Sequence, residues 1–316
     1  MRDPKVARAF DYEVFGLRVR SEVALPELFP AEGQREPDVC IAAGTVPQRP
    51  GWVHDGALVL EVRGVARYRI ERGAKITFEP EPGVPDRNVR LYLMGSAFGA
   101  LLHQRGLLPL HANAVEIDGR AVAFIGESGS GKSTLAAWFH DRGYKVIADD
   151  VCVIDFDDDG VPFACPGLPR LRLWDKALAQ SGRDARNYER SYVDAAEPLE
   201  KFDVPIDRSA VAHSSVRLAA VYQLRRGDEF AITDLEGVDA ANALFANTYR
   251  GAFVPMVKGQ QAHWESAIKL LRAVPVLSFV RRWNLAELDE QCRRLVEHVE
   301  SAVADHVLLP VVRERP

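Results

Sequence analysis

Residues 126–134 read Gly-Glu-Ser-Gly-Ser-Gly-Lys-Ser-Thr and fit the pattern G-x-x-x-x-G-K-[ST] in full. An apolar run, Ala-Val-Ala-Phe-Ile, leads into this stretch, and residues 132–142 follow with helical apolar spacing at Leu135, Ala136 and Phe139. The glycines let the backbone curl until successive N–H groups face inward, and a helix starting at Lys132 adds the positive end of its dipole. A strand feeding such a loop and helix is a cradle for phosphate. Gly126, Glu127, Ser128, Gly129, Ser130, Gly131, Lys132, Ser133 and Thr134 are therefore the expected nucleotide contacts. Lys132 is expected on the β- and γ-phosphates, and the Ser133 hydroxyl on Mg²⁺.

Which kind of phosphate-loop protein this is depends on its neighbours. Asp149 and Asp150 come directly after a single helix and a short apolar run, at residues 145–148. Two carboxylates at the end of the strand beside the loop suit two jobs. One of the two would hold Mg²⁺, directly or through water, and the other would take the proton of an attacking hydroxyl. By itself the pair also reads as two solvated carboxylates at a strand end. No LSGGQ-like signature is present, which argues against a transporter ATPase, and no NKxD, which argues against a GTPase. Residues 111–117 and 120–125 alternate about Asp118-Gly119, a strong hairpin signal. Across that hairpin His111 falls beside the start of the phosphate loop, where it reads as either a structural histidine or an active-site group.

Upstream the texture changes. Residues 1–88 read as short strands (around Tyr12, Val14 and Phe15, around Leu17, Val19 and Val23, then 39–42, 58–62, 66–70 and 75–78) separated by Pro- and Gly-rich breaks. They predict a small β-rich N-terminal domain, with the rest of the chain, 89–316, as the phosphate-loop domain. That first domain carries no glycine loop and no Asp/His cluster, so acceptor recognition or assembly is its expected task. Helices are predicted from Val89 to Gly106 and over 240–249, 260–273 and 285–304, and a long polar loop between Gly182 and Asp207.

Composition excludes other classes. The chain carries 40 basic and 45 acidic side chains, a net charge of −5, so no basic face is available for bulk nucleic-acid binding. No apolar run approaches the ~18 residues of a membrane helix. The four cysteines are scattered without a CxxC pair, and the first residues lack the apolar centre of a secretory signal. The expectation is a cytoplasmic protein without membrane or nucleic-acid partners, for which a homo-oligomer is allowed.

The stretch LHANAVEIDGRAVAFIGESGSGKSTLAAWFHDRGYKVIADDVCVI resembles the catalytic domain of the HPr serine kinase/phosphorylase family. The likeness is position-specific, with His111 ahead of the loop lysine and R-G-x-x-x-x-A-D-D ending at Asp150. It implies an α/β fold with a phosphate-loop kinase core of the phosphoenolpyruvate-carboxykinase-like type. It also implies ATP and Mg²⁺ as cofactors, His111 and Lys132 in the active site, and Asp150 as proton acceptor for a serine. The family's later E-[IV]-R-G-[LV]-G signature is replaced here by CPGLPRLRLWDKAL, without a glutamate. That replacement predicts a one-way kinase, and the segment looks more like the HPr-kinase-like enzymes that modify peptides. Arg170, Arg172 and Lys201 become candidate phosphate or substrate contacts. The expected activity is transfer of the γ-phosphate to a serine-type hydroxyl of a protein or peptide, either an HPr-like protein or a ribosomal peptide precursor. The alternatives are a kinase for a small-molecule hydroxyl and a nucleotide switch without an acceptor.

Overall fold

The computed structural model describes residues 9–48, 50–53, 56–192, 200–257 and 259–304. Its first sheet contains β1 (Phe10–Val14), β2 (Leu17–Ser21), β3 (Val39–Ala43), β4 (Gly51–Val53), β5 (Ala57–Val62), β6 (Ala66–Glu71) and β7 (Lys75–Pro80). Their order is β1-β2-β3-β7-β6-β5-β4, with the β2/β3 and β3/β7 pairs parallel. Alternation along β6, where Ala66, Tyr68 and Ile70 face inward, is the pattern of a half-buried strand. Phe15, expected in a strand, instead occupies the turn between β1 and β2 at φ 57°.

Helix α1 (Asp86–Tyr92) continues through a π-helical turn at Leu93–Ala97 into α2 (Phe98–Gln104). The predicted helix is thus present but begins earlier and widens in its middle. Its buried residues, among them Leu93, Phe98 and Leu101, share one core with the first sheet and with Val151, Val153 and Tyr249 from the rest of the chain. Phe98 is wholly enclosed. Phe98→Ala should lower unfolding stability by about 3–5 kcal/mol, measured by chemical denaturation; a loss below about 1 kcal/mol would mean that this core is not continuous.

The phosphate-loop part is built on β8 (Leu108–Leu110), β9 (Ala112–Ile117), β10 (Arg120–Ile125), α3 (Lys132–Asp141), β11 (Val146–Ala148), β12 (Cys152–Phe156) and β13 (Pro162–Cys165). After β14 (Arg170–Trp174) and α4 (Asp175–Gln180) come β15 (Glu189–Arg190) and β16 (Lys201–Pro205). The chain then runs through β17 (Val216–Arg226), β18 (Ala231–Leu235), α5 (Gly237–Ala246), α6 (Phe253–Met256), α7 (Gln260–Ala273), β19 (Val276–Arg281) and α8 (Leu288–Ala304). Strand β10 lies between its hairpin partner β9 and the parallel strand β17, which is itself parallel to β19. Inward residues alternate along β10. Ala121, Ala123 and Ile125 meet α5 and α7, whereas Val122 and Phe124 meet α3 and α8. Helices on both faces bury both sides of the central strands, an α/β arrangement. No described helix is long and apolar enough to cross a membrane.

The polar loop expected between Gly182 and Asp207 is corrected in part. Within it, Lys201–Pro205 forms β16, paired on one side with β14 and on the other with β15. Phe202 and Val204 point into a core with Leu171 and Leu173, while Lys201 and Asp203, both half-buried, point to the opposite face. Two apolar residues in a charged stretch are too few to announce a strand. Residues 193–199 of that loop lie outside the described residues.

Candidate active site

The hairpin brings the first two elements of the site together. Asp118 and Gly119 both take positive φ (52° and 69°), the turn geometry that matches strand twist. The resulting register sets Ile125 opposite Ala112, so His111 and Gly126 sit side by side where the strands end. Asn247, just past α5, clamps both: its carbonyl accepts from the His111 N–H at 2.7 Å and its Oδ1 from the Gly126 N–H at 2.8 Å. Nothing in the sequence around Asn247 announces this role.

From Gly126 the loop rises to an exposed tip at Glu127–Gly129 and turns back into α3. The start of α3 has no side-chain cap, and the first of its amides to find a backbone acceptor is that of Leu135, bonded to the Gly131 carbonyl. Ser130 Oγ is buried with no partner among the described residues. Lys132 folds back under the loop, its Nζ donating to the carbonyls of Gly126 at 2.6 Å and Glu127 at 3.1 Å. Burial pushes its pKa down to about 8, against the opposing pull of Asp149 and Asp150. A buried ammonium held only by carbonyls, beneath unpaired amides and an orphaned hydroxyl, fits a polyphosphate.

Asp149 and Asp150 end the short strand β11, as expected, but their surroundings differ. Burial pushes the Asp149 carboxyl up to about 6, partly offset by hydrogen bonds from the Arg172 N–H at 2.7 Å and the Ser133 hydroxyl at 3.2 Å. A carboxylate and a hydroxyl facing each other are hard oxygen donors, the set Mg²⁺ prefers. Asp150 adopts φ 74°, an uncommon value for a side-chain-bearing residue and one that concentrates at functional sites. Burial by itself would raise its carboxyl, but the Arg172 guanidinium holds it below the usual value. Arg172 Nη1 binds Asp150 Oδ2 at 2.8 Å, which leaves Oδ1 facing His111 Nδ1 at 3.6 Å. His111 Nδ1 lies 3.0 Å from the Asp150 carbonyl and must donate to it, which assigns the neutral ring its tautomer. Burial, then the charge of Lys132, lowers the His111 pKa and favours that neutral form.

Arg172 is aimed by Asp203, which also holds Arg170 at 3.1 Å, Arg87 at 3.0 Å and the Ser191 hydroxyl at 2.8 Å. Asp203 was not singled out by the sequence, because it is one charge within a polar stretch. Arg170, a sequence candidate, is taken up in this network and lines neither of the two cavities that meet at Asp150. Lys201 does reach them, its ammonium 5.1 Å from the ring of Trp174.

The first cavity, about 530 Å³, runs from His111, Asp149 and Asp150 along Ser128–Thr134 to Trp283 and Asn284. The second, about 500 Å³, shares His111, Ser128, Asp150, Trp174 and Lys201 with it and extends over Tyr92, Tyr192, Tyr249 and Arg250. The π-helical turn forms part of its wall at Gly95. A Cβ at Gly95 or Gly99 would stand 3.3 Å or 3.1 Å from Tyr249, so a side chain at either place would make that ring give way by a few tenths of an ångström. The N-terminal half of the chain thus contributes to the second cavity through its helix.

No family model matches this chain, and no curated protein matches it. Among solved structures it is similar to the Hpr(Ser) kinase/phosphatase from Coxiella burnetii, at 15% sequence identity and a TM-score of 0.32. The match covers 63% of this chain and 96% of that one. At that distance the chemistry of the site rests on its own residues.

Proposed function

We propose that this chain is an ATP- and Mg²⁺-dependent phosphotransferase that phosphorylates a serine-type hydroxyl of a protein or peptide. The observation that carries this reading is the meeting of two cavities at Asp150, one lined by the phosphate loop along Ser128–Thr134 and the other touching that loop only at its tip, Ser128. A nucleotide switch needs phosphate and metal ligands but no second cavity ending on a carboxylate. The loop amides and Lys132 would hold the β- and γ-phosphates, and Ser133 and Asp149 the metal. Mg²⁺, when bound, supplies neutralisation of charge on the transferring phosphoryl group. Asp150 receives the hydroxyl proton at Oδ1, the oxygen that Arg172 leaves open. Its carboxylate is a weak base, which suffices where the proton leaves late and alignment does most of the work. His111 holds the strained Asp150 backbone in place. Exposed Asp175, the nearest carboxylate to the missing signature glutamate, lines neither cavity, in keeping with a one-way kinase.

The deciding experiment offers labelled ATP with HPr, serine-containing peptides and small hydroxyl compounds, and identifies the labelled product. Slow ATP loss with no labelled acceptor, together with a nucleotide-dependent complex, would favour the switch.

The lowered Lys132 pKa gives a pH signature. The charged form binds phosphate, and the free protein loses that charge as pH rises through about 8. ADP affinity should therefore weaken about ten-fold between pH 7 and pH 9, measured by calorimetry. Lys132→Arg, which stays charged, should flatten the profile; an equal slope in both proteins would assign it to another group.

A further inference from the structure

Arg281 closes β19 and was not among the residues the sequence pointed to. Its side chain turns under the phosphate loop and lines the same cavity as Ser130, Gly131 and Thr134. The contact is close: a Cβ built on Gly131 would stand 2.7 Å from Arg281 Nη2. The φ of 86° favours glycine at 131, and a Cβ there would push the tip of the guanidinium aside.

The partners of this guanidinium are unlike those of the other buried arginines. Arg18 is paired with Asp11, Arg170 with Asp203, and Arg172 with Asp150. Arg281 is only 4% exposed, yet among the described residues it forms no ion pair. Among the described residues its side chain makes one hydrogen bond, from Nη1 to Gln291 Oε1 at 3.3 Å, and its buried Nε has no acceptor. Burial lowers its pKa, and the opposing influence among the described residues is the Cys292 thiol. A buried charge without a counter-charge is costly and persists where something else supplies the anion. The orphaned Ser130 hydroxyl lies on the same loop. Lys132 Nζ rests against Gly126 and Glu127 at one end of that loop, and Arg281 against Gly131 at the other.

Resting on the nucleotide reading above, we propose that Arg281 is a second phosphate-binding cation, gripping the part of the phosphate chain that lies toward Trp283. A guanidinium fork presents two parallel donors to phosphate oxygens, which a lysine at this place does not. Because the two cations flank the loop, a diphosphate engages both and a monophosphate only one.

The test is calorimetry of ADP, AMP and inorganic pyrophosphate with the parent protein, Arg281→Gln, Arg281→Lys and Lys132→Ala, beside thermal melting without ligand. Arg281→Gln should weaken ADP and pyrophosphate at least ten-fold and AMP much less, and Arg281→Lys should recover part of the loss. Unliganded Arg281→Gln should melt at or above the parent, since an uncompensated charge is gone; a purely structural arginine would lower the melting point instead. Parent-like ADP binding by Arg281→Gln, with binding lost in Lys132→Ala, would overturn the role of Arg281 and leave the nucleotide reading standing. Pyrophosphate binding that depends on Arg281 without any ADP binding would do the reverse. A parent protein that binds none of the three would end both. Should Arg281→Gln fail to fold, Arg281→Lys decides, with at least three-fold weaker ADP binding supporting the fork and an unchanged affinity overturning it.

Discussion

Lys132→Ala is expected to abolish phosphoryl transfer and to weaken ADP binding at least ~10²-fold while leaving the fold intact. The Nζ makes two hydrogen bonds, both to carbonyls of its own loop, so no other element depends on it. Lys132 itself lines the large first cavity, from which water can take the place of the amine. What the variant loses is a charge aimed at phosphate. Charge-assisted hydrogen bonds contribute about 1.5–3 kcal/mol each, and every ~1.4 kcal/mol is a factor of ten in affinity. A loss of one or two such bonds, with their share of the transition state, accounts for the expected size. Calorimetry with ADP and a thermal melt give the answer together. A folded variant that binds ADP as the parent does would remove the phosphate loop from the argument and the kinase reading with it.

Asp150→Asn should keep nucleotide affinity within a few-fold and lose transfer by at least ~10². Asparagine is the substitution of choice because it tolerates the left-handed backbone that Asp150 occupies at φ 74°. Its side-chain oxygen still accepts from Arg172, whereas its amide no longer takes a proton. The variant therefore separates proton acceptance from positioning. Asp149→Asn should behave differently, raising the Mg²⁺ concentration needed for half-maximal rate, because that carboxylate faces the Ser133 hydroxyl and does not line the second cavity. Transfer at the parent rate by Asp150→Asn would show that Asp150 is no base, and would leave positioning and electrostatics as the whole of catalysis.

The sequence by itself determined those parts of the site whose geometry is local. The glycine pattern fixes the loop, the helical spacing after Lys132 fixes α3, and Asp118-Gly119 fixes the hairpin that brings His111 to the loop. Each of these is decided within a dozen residues by backbone freedom and apolar periodicity. Strands β17 and β19 were not legible, because sheet neighbours on both edges and helices on both faces give them a nearly unbroken apolar run with no period to read. Tertiary structure alone decided the aim of the charged side chains. Arg170 and Arg172 are two residues apart on β14, yet Arg172 reaches Asp150 while Arg170, among the described residues, pairs with Asp203. Asn247 clamps the loop from 121 residues downstream, and Arg281 packs under Gly131 from the end of the strand parallel to β17. A guanidinium or an amide looks the same in sequence wherever it stands. Its partner is chosen by sheet register and helix packing, which bring together residues that the chain keeps far apart.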